Sequence, residues 1–219
     1  VVEALRDTGE VTPFADCNAV SPQTARAMDA SLTSVGSPFI DASIIGLPPG
    51  KGQPPRFYAS GKRSRMMSEL DGMGIEVRNL GAEVGRASGI KMCYAAMTKG
   101  TSALHVALLT AAESMDLTDE LSAELKYSQP GVYDQMEAQI PKLPVKARRW
   151  IGEMEEIAAA FDSLGVTPLF HHASADVYRV VGETPFAEDT PETVDRSRTL
   201  TETISAVAAQ LRSKDETSR

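Results

Sequence analysis

Thr12-Pro-Phe-Ala-Asp-Cys17 is a compact apolar run of strand length, and the helix start just after it decides the fold. Ser21 stands where it can cap a helix. Pro22 occupies the first helical position, where its missing N–H costs nothing. Gln23–Val35 then sets Ala25, Met28, Leu32 and Val35 at i, i+3, i+7 and i+10, on one face of a helix that Gly36 ends. The next run, Pro38-Phe-Ile-Asp-Ala-Ser-Ile-Ile45, again has strand length and is bounded by Gly and Pro. Strands separated by helices imply βαβ units in a largely parallel sheet.

Beyond this unit, Gly46-Leu-Pro-Pro-Gly-Lys-Gly-Gln-Pro-Pro55 holds four of the thirteen prolines and cannot be regular structure. Arg56–Ser60 reads as a strand, Arg63–Gly72 as a short helix and Ile75–Leu80 as a last strand. Upstream, Val1-Val-Glu-Ala-Leu-Arg6 reads as the last turns of a helix already under way, and the expectation is that part of a longer protein precedes it. From Ala82 the strand signal stops, and no proline occurs between Ala82 and Gln129. Glu83–Ser114 predicts a helix of about 45 Å, long for a globular domain and suited to spanning two domains or two subunits. Further helices are expected at about 118–127, 131–140, 144–164, 167–182 and 191–212, with a frayed polar tail over Ser213–Arg219. The fold class is α/β followed by all-α, with domains at 1–80 and 81–219.

The chain has 219 residues, of which 42% are apolar, 24% charged and 5% aromatic, with a net charge of −8. An acidic balance argues against a nucleic-acid binder, which presents a basic face. The composition is too apolar for a disordered chain. No apolar run reaches the ~20 residues of a membrane helix, and the start has no basic-then-apolar leader. Two cysteines, Cys17 and Cys93, fit a reduced, cytoplasmic protein better than a disulfide framework.

Nucleotide-binding Gly-x-Gly-x-x-Gly, the P-loop and Gly-x-Ser-x-Gly are all absent from these residues. The histidines His105, His171 and His172 and the two cysteines lack metal-ligand spacing, so no metal is expected. His171 and His172 lie about 100° apart on a helix, which suggests one packed and one solvated ring. Lys91 differs. It sits in Gly89-Ile-Lys-Met-Cys-Tyr-Ala-Ala-Met-Thr-Lys-Gly100, otherwise small and mostly apolar. Thr98 falls within ~20° of it around a helix, whereas Lys99 is ~80° away and is expected to tolerate replacement better. A lysine on an apolar helix commonly snorkels to solvent. Partial burial would instead lower its pKa and suit it to donate a proton to a developing alkoxide.

Four segments, in order, carry a resemblance. They are Asp16-Cys-Asn-Ala-Val-Ser-Pro22, Phe39-Ile-Asp-Ala-Ser-Ile-Ile-Gly46, Gly81-Ala-Glu-Val-Gly-Arg-Ala-Ser-Gly-Ile-Lys91 and Lys146-Ala-Arg-Arg-Trp-Ile-Gly-Glu-Met-Glu-Glu-Ile157. They resemble the late Rossmann strand, the substrate loop, the run into the catalytic lysine and a later active-site helix of the β-hydroxyacid dehydrogenases, the relatives of 3-hydroxyisobutyrate and 6-phosphogluconate dehydrogenases. The Lys-Met-x-Tyr-Ala-x-x-Thr-Lys-Gly run and the Pro-rich loop resemble a subgroup of phosphogluconate dehydrogenase-like, NAD-binding proteins.

The resemblance implies a partial Rossmann-type NAD(P)-binding sheet over 1–80 and a helical substrate and dimerisation domain, like the C-terminal domain of 6-phosphogluconate dehydrogenase, over 81–219. It implies an oxidoreductase moving a hydride between NADP or NAD and a β-hydroxyacid-like substrate. Lys91 would be catalytic, Asn18 and Ala19 would meet the cofactor, and Gly46, Ile45, Ala95, Thr98 and Arg149 would border the substrate. The expected partners are that small-molecule substrate and a second copy of the chain, with no nucleic acid and no membrane. Ala95, Ala96, Ala103, Ala107, Ala111 and Ala112 would let helices approach closely in a homodimer.

The departures also inform. The family's loop serine aligns with Ile45 and its second glycine with Leu47. The asparagine four residues after the lysine is Ala95, and the lysine of the later helix is Glu153, with Arg149 one turn away. Fewer polar contacts point toward a less polar carbonyl or an imine. The family's nucleotide fingerprint precedes everything seen here, which leads to the expectation that the first strand–helix units lie upstream. The alternative reading is a non-catalytic helical scaffold or ligand-binding homologue.

Overall fold

The computed structural model describes residues 1–190 and 192–217, with side chains as far as Lys214. The chain divides into two compact units, Val1–Ala95 with Ala159–Val166, and Ala96–Ala158 with Thr167 onward. The strands end at Asn79, close to where the composition changes, but the compact units part within the long helix.

The first unit is a four-stranded sheet in the order β1 (Phe14–Asp16), β2 (Phe39–Ile45), β3 (Arg56–Ser60), β4 (Glu76–Asn79). A short α1 (Val2–Thr8) precedes it, and α2 (Pro22–Thr33) joins β1 to β2. Ser21 caps α2 as its sequence suggests, its Oγ accepting the Thr24 N–H at 3.2 Å. β1 pairs parallel to β2 with Asp16 opposite Asp41, and β3 pairs parallel to β4. β2 and β3 are antiparallel, one antiparallel step within the largely parallel sheet that was expected. Their ten-residue connection contains no crossover helix, so the chain can only turn back on itself. The expected helix at 63–72 is a 3₁₀ segment, Ser64–Leu70.

β2 is buried on both faces. Phe39 packs with Ala25 and Leu32 of α2, while Ile40 packs on the other side with Ala59 and Met67. This period-2 division places Phe39, Asp41 and Ser43 on one face of the strand.

α3 (Arg86–Ser114) runs 29 residues and passes from the first unit into the second. It starts three residues later than the pattern suggests, because Gly85 takes a φ of 103°. The second unit adds α4 (Thr118–Ser128), α5 (Pro130–Gln139), α6 (Pro144–Asp162, whose last turn belongs to the first unit), α7 (Leu169–Val181) and α8 (Leu200–Thr217). Buried Met136, Ile140, Met154, Ile157, Tyr178 and Ile204 form its interior. α8 begins nine residues after the expected position. A reciprocal cap fixes its start: Thr199 N–H donates to Glu202 Oε2 at 2.8 Å and Glu202 N–H to Thr199 Oγ1 at 3.2 Å. The helix also continues through Thr217 where fraying was expected, and residues 218 and 219 of that tail lie outside the described residues. Of the alanines expected to face a second copy, Ala95, Ala103 and Ala112 are consumed in the chain's own interior, and Ala107 and Ala111 remain exposed. Among the described residues no helix is long and apolar enough to cross a membrane.

Candidate functional site

The start of α3 is tied to β2 by polar groups. Asp41 is 1% exposed, and its carboxylate takes five donors. Oδ2 accepts the Ser60 hydroxyl at 2.8 Å and the backbone N–H groups of Gly85, Ala87 and Ser88 at 2.8, 3.1 and 3.2 Å. Oδ1 accepts the Ser88 hydroxyl at 2.5 Å. These N–H groups belong to the first turn of α3 and the residue before it, which have no partner within the helix, and a negative charge there is favourable. Two residues along β2, the Ser43 hydroxyl donates to the Ala87 carbonyl at 2.8 Å. One residue further, the Ile44 carbonyl accepts from Lys91 Nζ at 2.6 Å. Strand and helix are therefore held in fixed register over Asp41–Ile44 and Gly85–Lys91.

Lys91 is half-buried, so its stem is covered and its ammonium is held near the end of β2. Ile45 is the last strand residue, half-buried, and Gly46 opens the loop. Gly46 has a φ of 132°, and a Cβ there would lie 2.9 Å from Pro55 Cα, so the return of the Pro-rich loop explains the glycine on structural grounds. β1 runs parallel to β2, so Asn18 and Ala19, just past the end of β1, leave the sheet in the same direction as Ile45 and Gly46, from a point level with Asp41. The Asn18 side chain is exposed and oriented, its Nδ2 donating to Asp16 Oδ1 at 2.6 Å. Ala19 is half-buried and Ala95 is 2% exposed. Between Asp16 and Asn18, partial burial and the nearby Asp16 and Asp41 carboxylates push the Cys17 thiol above its ordinary value, away from a reactive thiolate.

Thr98 and Arg149 belong to the second unit, where Thr98 is half-buried and Arg149 exposed. Arg149 Nε reaches Glu153 Oε1 at 3.3 Å. Glu153 also pairs with Lys99, which is 8% exposed and lies 5.3 Å above the Trp150 ring. The Lys99 carbonyl accepts the buried Tyr178 hydroxyl at 2.6 Å. This corrects the expectation that Lys99 tolerates replacement: it is half of a buried ion pair rather than a surface group. Burial also holds the Tyr178 phenol above its ordinary value.

Sequence reasoning missed the Asp41 hub and the Lys99–Glu153 pair. A lone aspartate inside an apolar strand, matched later by Gly85 and Ser88, was the available signal for the first. His171 is buried and His172 exposed, as the spacing suggested, and His105 is buried. Burial lowers the pKa of His105 and His171. Among the described residues no three His, Cys, Asp or Glu side chains converge as metal ligands.

Comparison with known proteins adds to this geometry. The profile of a family described as a domain of unknown function (DUF1932) matches residues 112–181. An uncharacterised 28.5 kDa protein in the 7S RNA 5′ region of Methanothermus fervidus is 25% identical over 171 residues, covering 78% of this chain; the match spans 66% of that relative's length. A conserved hypothetical protein from Sinorhizobium meliloti has a similar structure, with a TM-score of 0.71 and 20% identity over 96% of this chain and 73% of that one. MTH1747, a conserved protein of unknown function described as structurally similar to 3-hydroxyacid dehydrogenases, gives a TM-score of 0.61 and 28% identity over 82% of this chain and 70% of its own. Mycobacterium tuberculosis 3-hydroxyisobutyrate dehydrogenase gives 0.53 and 17%, over 91% and 69%. With a mostly parallel four-stranded sheet followed by helices, this chain has the fold of the 3-hydroxyacid dehydrogenases.

Proposed function

We propose that this chain belongs to an NAD(P)-dependent oxidoreductase of the β-hydroxyacid dehydrogenase type, with Lys91 as the proton donor when a carbonyl or imine is reduced. One observation carries the reading. An ammonium is held by its hydrogen bond to the Ile44 carbonyl near the carboxyl end of β2, three residues beyond Asp41, which pairs with the last residue of the parallel strand β1. Open α/β sheets bind their ligands outside the carboxyl ends of their strands. This position supports the reading of Lys91 as a general acid, and the fold is one in which dehydrogenases occur.

The residues at this edge fit the nicotinamide end of a dinucleotide. Asn18 offers an amide held by Asp16, and Ala19 is small enough for close approach. The nicotinamide, when bound, supplies the hydride, and the protein orients it. Lys91 delivers a proton to the substrate oxygen or nitrogen, and the Asp41 hub keeps its helix from sliding along β2. Ile45, Gly46 and Ala95 border the substrate in this reading; Thr98 and Arg149, expected there from the sequence, belong to the other unit, where Arg149 is engaged by Glu153. With few polar groups among these residues, the substrate is a ketone or imine of modest polarity. The setting proposed is cytoplasmic.

The test is NAD(P)H-dependent reduction by the full-length protein of a panel of small ketones, 3-oxo acids and preformed imines. Turnover that falls in Lys91→Met supports the reading. Failure to oxidise NADH or NADPH with every class, by protein that binds the cofactor, overturns it in favour of a non-catalytic homologue.

A further inference from the structure

At the far end of β2 from Ile44, the first unit opens a cavity of about 460 Å³. Its walls are the last turns of α2, the turn after β3 and the loop before α3. Three cations line it: Arg26 from α2, and Lys62 and Arg63 from the turn. All three side chains are exposed, and none makes an ion pair or a side-chain hydrogen bond with another described residue. Two carboxylates share the cavity, Asp29 and Glu83, but Glu83 already lies 4.0 Å from Arg86. In a chain with a net charge of −8, this is a local surplus of positive charge.

The cations are placed by backbone geometry. Lys62 and Arg63 are the central residues of a turn closed by the Ser64 N–H to the Gly61 carbonyl, at 3.0 Å. Gly61 has a φ of 110°, and a Cβ there would come within 3.3 Å of both the Phe39 carbonyl and Val84. The turn is therefore pressed against the cavity wall. Gly85, at φ 103°, has no Cβ; one would lie 2.7 Å from Arg26 Nη1, so the guanidinium rests over the bare backbone. The C-terminal carbonyls of α2, which would repel an anion, are already engaged: Ala30 by the Ser34 N–H at 3.1 Å and Leu32 by the Ser37 N–H at 3.1 Å.

We propose that this cavity binds a phosphate dianion, free or as a small monoester, at a site separate from Lys91. Two guanidinium groups and an ammonium from two elements match the charge and the multiple acceptors of phosphate. The volume suits a small organic phosphate.

Isothermal titration of the protein with inorganic phosphate and with glycerol 3-phosphate, at constant ionic strength in chloride, tests this. Saturable one-site binding is expected. The Lys62→Ala/Arg63→Ala double variant should weaken it at least tenfold, the loss of one charge-assisted contact or more. Lys51→Ala, an exposed lysine elsewhere, should leave it unchanged. Tighter binding of glycerol 3-phosphate identifies the ester as the ligand class, and equal binding identifies free phosphate. No saturable binding of either probe overturns the proposal. So does binding indifferent to the double variant, or an equal loss in Lys51→Ala. Circular dichroism of the variants confirms that each is folded.

Discussion

Asp41 in β2 receives Ser88 of α3 twice, the hydroxyl at 2.5 Å and the backbone N–H at 3.2 Å, across a sequence separation of 47 residues. This bond, with the Gly85 and Ala87 N–H groups on the same carboxylate, makes the helix start a tertiary feature. A local N-cap residue could supply only part of it. Asp41→Ala leaves the Gly85 and Ser88 N–H groups and the Ser60 and Ser88 hydroxyls without their acceptor. We expect a loss of about 3 kcal/mol or more in unfolding free energy, read from urea midpoints. Asp41→Asn, which keeps one acceptor oxygen, should lose less.

Lys91→Met in the complete protein should lower kcat by about 10²–10⁴-fold, the usual range for general acid catalysis. Cofactor affinity should change little, because the ammonium addresses the substrate atom. Near-normal turnover would mean that Lys91 merely snorkels from its helix. Lys99→Met is no neutral counterpart. It strands the Glu153 carboxylate with only the exposed Arg149, so we expect about 3 kcal/mol of destabilisation in the second unit. Thermal denaturation separates this loss of fold from a loss of chemistry, and Lys51→Ala serves as the inert lysine change.

The 219 residues should bind NADPH weakly on their own. Their sheet edge offers Asn18 and Ala19 for the nicotinamide end, and no Gly-x-Gly-x-x-Gly turn occurs among them to hold a pyrophosphate. A fluorescence titration giving low-micromolar affinity would show that these residues hold the nucleotide by another route.

The helical unit should lose stability in acid. Burial lowers the pKa of His105 and His171 below their ordinary 6.5, so the unfolded chain binds more protons and stability falls as pH drops below 6.5. Glu113 adds a second step. Hydrogen bonds from Thr118 and Ser205 hold its carboxyl below the ordinary 4.5, and that stabilisation is present above 4.5 and lost as pH falls through its folded value. Denaturant midpoints between pH 7.5 and 5 should decline in the parent and decline less steeply in His105→Gln, which keeps only the His171 contribution. An equal slope in that variant would place the titration elsewhere.

Local rules make much of this fold legible. Ser21-Pro22 marks α2, and the shift after residue 80 marks the loss of strands, because caps and periodicity act within a few residues. Counting strands and helices alone hides the antiparallel β2–β3 step, since this one connection has no helix to carry a crossover. Thr199-Leu-Thr-Glu202 carries the start of α8 in plain view as a capping box, but the apolar pattern runs on upstream past it. Lys91 stands out because a charge in an apolar run is conspicuous. Its partner does not, since the Ile44 acceptor is a backbone carbonyl that no side-chain pattern encodes. Lys99 and Glu153 are 54 residues apart, and only the packed helices bring them together.

The last expectation is a homodimer through α3. Ile90, Tyr94, Met97 and Leu104 succeed one another at helical spacing, within about 80° around the axis. They remain exposed, Met97 at 61% and Leu104 at 62%. A stripe of large apolar residues along one face is characteristic of an interface. With Ala95, Ala103 and Ala112 taken into the chain's own interior, the large side chains of this stripe, flanked by the exposed Ala111, would carry the contact. Light scattering of the full-length protein should give twice the monomer mass at micromolar concentration. Met97→Glu with Leu104→Glu places two like charges on the seam and should return the monomer without loss of helix signal, because both side chains already face solvent in the single chain. A monomer at high micromolar concentration, or a dimer indifferent to both charges, would locate the interface away from this stripe.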